Sequence, residues 1–169
     1  MQNYIFDQVM EAGAEFDIKP FGIRAMDSMR LEKSYRLIPR EMSIEYSAFE
    51  SGLDRFVRFD KEDDFIGKAA LEAWQKRGSD NGFVTMEVLG VVDADARGSE
   101  AIYKDGEVVG RGTSGGYGWR CAKSLALGLV RVDLAEIGTE LEIEILGEKY
   151  QALVIEESPF DSKNECLRS

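Results

Sequence analysis

The sequence predicts an α+β protein in which a sparsely structured first half leads into a small antiparallel β-barrel or sandwich. Three observations carry this expectation. Apolar residues recur at helical spacing near the N-terminus and again over Ile66–Lys76. A five-residue cluster of turn formers, Gly78-Ser79-Asp80-Asn81-Gly82, marks a boundary. After it, six short strand-like segments follow within about 90 residues, the rhythm of a small all-β unit.

Taken in order, Ile5, Val9, Ala12 and Phe16 fall on one face of a first helix, with Asn3 as its N-cap and Pro20 and Gly22 ending the segment. Met26–Tyr35 alternates: Met29, Leu31 and Lys33 point one way, Ser28, Arg30 and Glu32 the other. This predicts a strand with one polar face. Residues 36–60 show few periods, with Phe56-Val57-Arg58-Phe59 as a short candidate strand. Ala70, Leu71 and Trp74 set a second helix. The later strands are Phe83–Leu89, Ala101–Lys104, Val108–Thr113, Leu127–Val132, Leu141–Leu146 and Tyr150–Ile155. Lys104-Asp105-Gly106-Glu107 and Leu146-Gly147-Glu148-Lys149 read as hairpin turns. Residues 1–79 and 80–169 thus read as two units. Fewer than 80 residues with so little regular structure make a poor independent core, so the first unit is expected either to pack tightly on the second or to be part of a larger domain.

Composition narrows the chemistry. Of 169 residues, 44% are hydrophobic and 31% charged, a globular balance. The net charge of −11 argues against nucleic acid and anionic membranes as partners. The charge is uneven: residues 1–79 carry 12 Lys/Arg against 15 Asp/Glu, residues 80–169 carry 9 against 17. An anionic ligand is therefore expected at the first half, which holds seven of the arginines. The absence of histidine removes Ser-His-Asp triads, Cys-His pairs and imidazole metal sites. Cys121 and Cys166 fit free thiols in a reducing cytosol, with one disulfide as the alternative, and a cytoplasmic location is expected. The N-terminus lacks the basic and apolar regions of a signal peptide, and no apolar run is long enough to span a bilayer.

Two motifs are weak. Gly110-Arg111-Gly112-Thr113-Ser114-Gly115 matches G-x-G-x-x-G after a strand. No helix pattern follows it, so a glycine-rich loop with unusual backbone angles is expected instead of a dinucleotide site. Asp60, Glu62, Asp63 and Asp64 lack the glycine and distal glutamate of a calcium loop and read as a solvated acidic turn; no metal site is expected.

Gly22-Ile23-Arg24-Ala25-Met26-Asp27-Ser28-Met29-Arg30-Leu31-Glu32-Lys33 is richer. Arg30 and Glu32, placed on one face, read either as a salt-bridged strand or as an arginine and a carboxylate lining a polar pocket. The segment resembles the Gly-x-x-Ala-Arg-Asp-x-Leu-Arg-Leu-Glu signature of aminomethyltransferases, the T-proteins of the glycine cleavage system. It also resembles the folate domains of dimethylglycine and sarcosine dehydrogenases. Further matches follow in order: Ser51-Gly52-Leu53, Asp64-Phe65-Ile66-Gly67-Lys68-Ala69-Ala70-Leu71, Thr113-Ser114-Gly115, Lys123-Ser124-Leu125-Ala126-Leu127-Gly128 and Ser158-Pro159-Phe160-Asp161. Arg24 in place of glycine, and the tail Phe160-Asp161-Ser162-Lys163-Asn164 with Leu167-Arg168, are similar to the dimethylglycine dehydrogenase group.

The resemblance implies the trailing part of a folate-binding T-protein domain over 1–79, then the family's small antiparallel barrel over 80–169. It implies tetrahydrofolate as cofactor and transfer to it of a one-carbon unit from a methylated amine or aminomethyl donor. By the same resemblance, the family's catalytic Asp and pterin-holding Glu belong to a part preceding Met1, so no catalytic residue is assigned here. Arg24 and Arg30 are expected to line the pocket or steer the anionic end of folate. Tyr117 is expected to close over it, and Met26 to give apolar contact where T-proteins have arginine. The remaining N-terminal half or a fused flavin domain are the implied macromolecular partners. A non-catalytic folate-binding or assembly domain of a larger dehydrogenase is the alternative. The Lys-Gly-Cys motif of related iron–sulfur assembly factors is missing, since Ser124 follows Lys123.

Overall fold

The computed structural model describes residues 1–91 and 93–168. Its second half is a closed six-stranded antiparallel barrel: β1 (Asn81–Val88), β2 (Ala101–Lys104), β3 (Glu107–Gly118), β4 (Lys123–Arg131), β5 (Glu140–Ile145) and β6 (Glu148–Ile155), in the order β1-β4-β3-β2-β5-β6 with β6 returning to β1. Closure removes both sheet edges. Alternate residues face inward: Val84, Met86 and Val88 on β1, Leu141, Ile143 and Ile145 on β5, Ala152 and Val154 on β6. The barrel is narrow, and small residues keep it so. Gly112 of β3 pairs with Gly128 of β4, and a Cβ on Gly128 would sit 2.8 Å from the Arg111 carbonyl.

The G-x-G-x-x-G run is therefore not a loop. It lies inside β3, and Gly110, Gly112 and Gly115 all have ordinary negative φ. The glycines serve close approach: a Cβ on Gly110 would lie 2.3 Å from the Leu129 carbonyl, and one on Gly115 2.7 Å from Ala96. The barrel strands agree with the sequence expectation, with β3 and β4 longer than the patterning indicated.

The first half differs more. Helix α1 (Gln2–Ala12) has Met1, not Asn3, as its N-cap and buries no residue. A separate 3-10 turn at Ala14–Phe16 follows Gly13, over which Ile18 folds. Ile23–Glu32 is helix α2, not a strand. Its run of Met, Arg, Leu and Glu, with no β-branched residue after Ile23, is helix-forming, and burial of Leu31 decides the period. Leu31 is 1% exposed against Leu125 and Leu127 of β4, flanked by Phe83 and Ile155. Burying such a side chain contributes ~1.5–3 kcal/mol. Residues 54–56 form a 3-10 turn, and no strand forms at 56–59: Phe59 stacks on Phe49 rather than pairing with a sheet. Helix α3 (Lys68–Arg77) follows the expected pattern, with Gly67 at φ +91 as its N-cap. A short α4 (Glu165–Arg168) ends the described chain. Among the described residues there is no disulfide between Cys121 and Cys166, no metal-binding cluster, and no helix long and apolar enough to cross a membrane.

Three buried glutamates, Glu32, Glu41 and Glu50, tie the first half to the barrel. Glu50 accepts from Ser47 N and Oγ and from Asn81 N and Nδ2 at 3.0–3.3 Å. Burial works to raise its pKa. The Ser47 and Asn81 donors outweigh that and hold the carboxyl below the usual glutamate range. A depressed carboxyl contributes stability above its unfolded pKa and loses it as pH falls through the folded value. The thermal midpoint is thus expected to fall on acidification below about pH 4.5. Glu50→Gln is expected to lower the neutral-pH midpoint and flatten that acid limb, read by calorimetry across the pH series.

Candidate functional site

The helical period of α2 puts Arg24, Asp27, Ser28 and Leu31 on one face, toward the second half of β3. Between them and Gly115, Gly116, Tyr117, Trp119, Asp95 and Arg97 lies a cleft of about 240 Å³. Ser28 Oγ donates to the Tyr117 carbonyl at 2.6 Å, fixing the helix to the strand. Tyr117 and Trp119 meet edge-to-face with centroids 5.0 Å apart, and both are exposed at the mouth. A Cβ on Gly116 would press on Leu31 at 3.1 Å, so glycine lets the helix settle onto the strand. Among the described residues, the Arg24 and Arg97 guanidiniums make no hydrogen bond or ion pair.

The rest of the α2 signature supports this cleft from behind. Glu32, 2% exposed, accepts from the backbone N–H of Arg120 at 2.5 Å and of Cys121 at 3.2 Å, which sets the turn carrying Trp119. Burial pushes the Cys121 thiol up, and the Glu32 charge adds to it, so Cys121 is a poor nucleophile. Lys33 Nζ donates to the carbonyls of Phe160 and Asp161 at 3.2 and 2.5 Å. Ser34 Oγ bonds Thr85 Oγ1 at 2.8 Å and accepts from Ser158 N at 3.0 Å. These contacts strap the C-terminal segment across the seam.

The structure thus brings two of the four sequence-derived site residues together, Arg24 and Tyr117, which lie 93 positions apart. Met26 and Arg30 do not line the cleft. Met26 lies on another side of α2 and is partly exposed. Arg30 is an internal tie: Nε meets Asp27 Oδ1 at 2.6 Å, while Nη1 reaches the Tyr35 carbonyl at 3.3 Å and Glu41 Oε2 at 3.6 Å. The pairing of Arg30 with Glu32 across one face does not form, because residues two apart diverge on a helix. Asp27, Ser28, Asp95, Arg97 and Trp119 were not among the sequence candidates. The i, i+3, i+4, i+7 spacing of 24, 27, 28 and 31 carried the signal for the first two.

Two family models match this chain. The glycine cleavage T-protein C-terminal barrel domain covers residues 82–161, and the GCVT N-terminal domain covers residues 1–61. The chain belongs to the glycine cleavage T-protein family. It is 41% identical over 153 residues to human mitochondrial dimethylglycine dehydrogenase, covering 90% of this chain and 18% of that protein. It is 32% identical over 163 residues to an aminomethyltransferase of Bacillus cytotoxicus, covering 95% of this chain and 43% of that one. The crystal structure of the glycine cleavage system aminomethyltransferase T from Bartonella henselae superposes with a TM-score of 0.84 at 21% identity, over 95% of this chain and 44% of that one. That likeness establishes the shared fold. The chain therefore spans less than half the length of each of these relatives. Within the T-protein frame the cleft has a particular place: its helical wall comes from the region matching the N-terminal domain, its strand wall from the barrel region.

Proposed function

We propose that this chain forms part of a folate-dependent one-carbon transferase module, with residues 1–79 the trailing portion of its folate domain and 80–169 the barrel. The observation that carries the reading is the cleft built across the two family regions, in which Arg24 and Tyr117 converge. Its chemistry suits one end of tetrahydrofolate. Tyr117 and Trp119 offer flat aromatic faces, Arg24 and Arg97 offer unpaired cations, and Asp27 and Asp95 offer acceptors. At 240 Å³ the cleft is smaller than the roughly 300–1,000 Å³ of a complete small-molecule site. It fits a portion of the ligand, the remainder being held by residues outside this chain.

When bound, tetrahydrofolate supplies the nitrogens that accept the one-carbon unit. The role of this chain is orientation. Arg24 fixes an anionic or acceptor group of the ligand, Tyr117 and Trp119 cover its flat part, and Glu32 holds the turn that presents Trp119. No side chain here is assigned as the proton-transferring acid or base. The expected result is that the 169-residue chain alone transfers no aminomethyl group to tetrahydrofolate. Joined to a polypeptide supplying the family's N-terminal part, it does so with a rate lowered at least tenfold by Arg24→Ala. Turnover by the chain alone contradicts the reading. The 41% identity to a dimethylglycine dehydrogenase, of which this chain matches 18%, favours a second form of it: a folate-binding domain within a larger oxidoreductase.

A further inference from the structure

A second hollow of about 280 Å³ opens on the other side of Arg97, between the Pro39–Arg40 turn, the Arg97–Ser99 loop and Arg111–Thr113 of β3. Three arginines line it: Arg40, Arg97 and Arg111. That convergence occurs in a chain of net charge −11, where like cations gathered at one point work against folding unless something compensates them.

The compensation within the chain is thin. Arg40 Nη1 makes one long contact, 3.4 Å to Ser114 Oγ, whose own proton goes to Glu41 Oε1 at 2.6 Å. Arg97 has no side-chain partner among the described residues. Arg111 Nη2 meets Glu45 Oε2 at 2.5 Å and its guanidinium lies 5.2 Å from the Tyr46 ring centroid, but the Arg111 and Glu45 side chains are 41% and 60% exposed, where an incoming anion competes. The remaining carboxylate, Glu100, has its oxygens turned to the backbone N–H of Arg97 and Gly98 at 2.6 and 2.7 Å. The walls are set rather than loose. Ser99 N donates to the Gly112 carbonyl and Gly112 N to the Glu100 carbonyl, both at 2.7 Å. Gly98 takes φ +121 so that the loop lies flat on β3, where a Cβ would stand 2.9 Å from the Thr113 carbonyl.

We infer that this hollow is a binding site for a small dianion, a phosphate monoester or a paired-carboxylate group, gripped by Arg40, Arg97 and Arg111. Guanidinium forks bind both groups by two-point contacts, which a lone lysine does not provide. The site adjoins the Tyr117 cleft and shares Arg97 with it, while Arg40 and Arg111 line this hollow alone, so the Arg111 variant tells the two apart.

Calorimetric titration of the 169-residue chain at low ionic strength, with inorganic phosphate in one arm and glutarate in the other, tests this and distinguishes the two sources. The expected result is one saturable site per chain for at least one dianion, weakened fivefold or more by Arg97→Gln and by Arg111→Gln. Lys19→Gln, at an exposed pair with Asp17, serves as the unaffected control. Thermal midpoints confirm that each variant folds. Heats equal to dilution in both arms, or a weakening under fivefold in either arginine variant, overturn the assignment. A site lost equally in Lys19→Gln is general charge attraction and overturns it too.

Discussion

Glu41→Leu is expected to destabilise the protein by about 3–5 kcal/mol, the cost of leaving a buried charge without its partner. Glu41 is fully buried, and its two oxygens serve three donors. Oε1 accepts from Ser114 Oγ at 2.6 Å; Oε2 accepts from Leu37 N at 2.8 Å and faces Arg30 Nη1 at 3.6 Å. Arg30 is itself nine-tenths buried, and its Nη2 already lacks a partner. Removing Glu41 leaves the guanidinium with Asp27 and one carbonyl, while Leu37 N–H loses its acceptor. Glu41→Gln keeps an acceptor but not the charge and is expected to cost less. The urea unfolding midpoint checks both. A loss below about 1 kcal/mol for Glu41→Leu would show that the network carries little of the junction. The consequence reaches the cleft, because the same contacts hold α2 in place against β3.

Gly110→Ala is expected to cost about 3 kcal/mol, at or beyond the upper range for overpacking a core, though it adds a single methyl. The new Cβ would lie 2.3 Å from the Leu129 carbonyl and 2.7 Å from Val130 Cα. Both are backbone atoms of the paired strand, so no side chain can rotate away. The barrel is closed, and moving β3 from β4 strains the other pairings. Gly22→Ala provides the contrast. That site has ordinary φ and nothing within 4 Å of a Cβ, so a change within about 1 kcal/mol is expected. Equal effects at the two positions, measured by chemical denaturation, would contradict the steric account.

These two positions also show what the sequence could reveal. The barrel was legible because strand alternation and the Asp105-Gly106 and Gly147 hairpins are local signals. The glycine run in β3 was misread because its cause is not local. Nothing near Gly110 in sequence announces the carbonyl of Leu129. Helix α2 was misread for a related reason. The alternation over Met26–Tyr35 fits a strand as well as a helix until Leu31 is seen against Leu125 and Leu127. Its propensities favoured the helix, and giving them more weight would have placed Asp27 and Ser28 beside Arg24. Glu32 reads from sequence as a possible pocket carboxylate and Lys33 as part of the signature, while Ser34 just beyond it carries no signal. In the fold they hold the 120–121 turn and the C-terminal strap. Asp95, Arg97 and Trp119 could not have been found from spacing, since no local period links them to residues 24–31.

The central claim is that the cleft between α2 and β3 holds part of a folate. Calorimetric titration of the 169-residue chain with tetrahydrofolate, repeated with Arg24→Ala, tests it most directly. A weak, saturable, one-to-one isotherm that Arg24→Ala weakens severalfold, with thermal stability unchanged, is the predicted result. An isotherm indistinguishable from dilution, or binding that Arg24→Ala leaves intact, contradicts it.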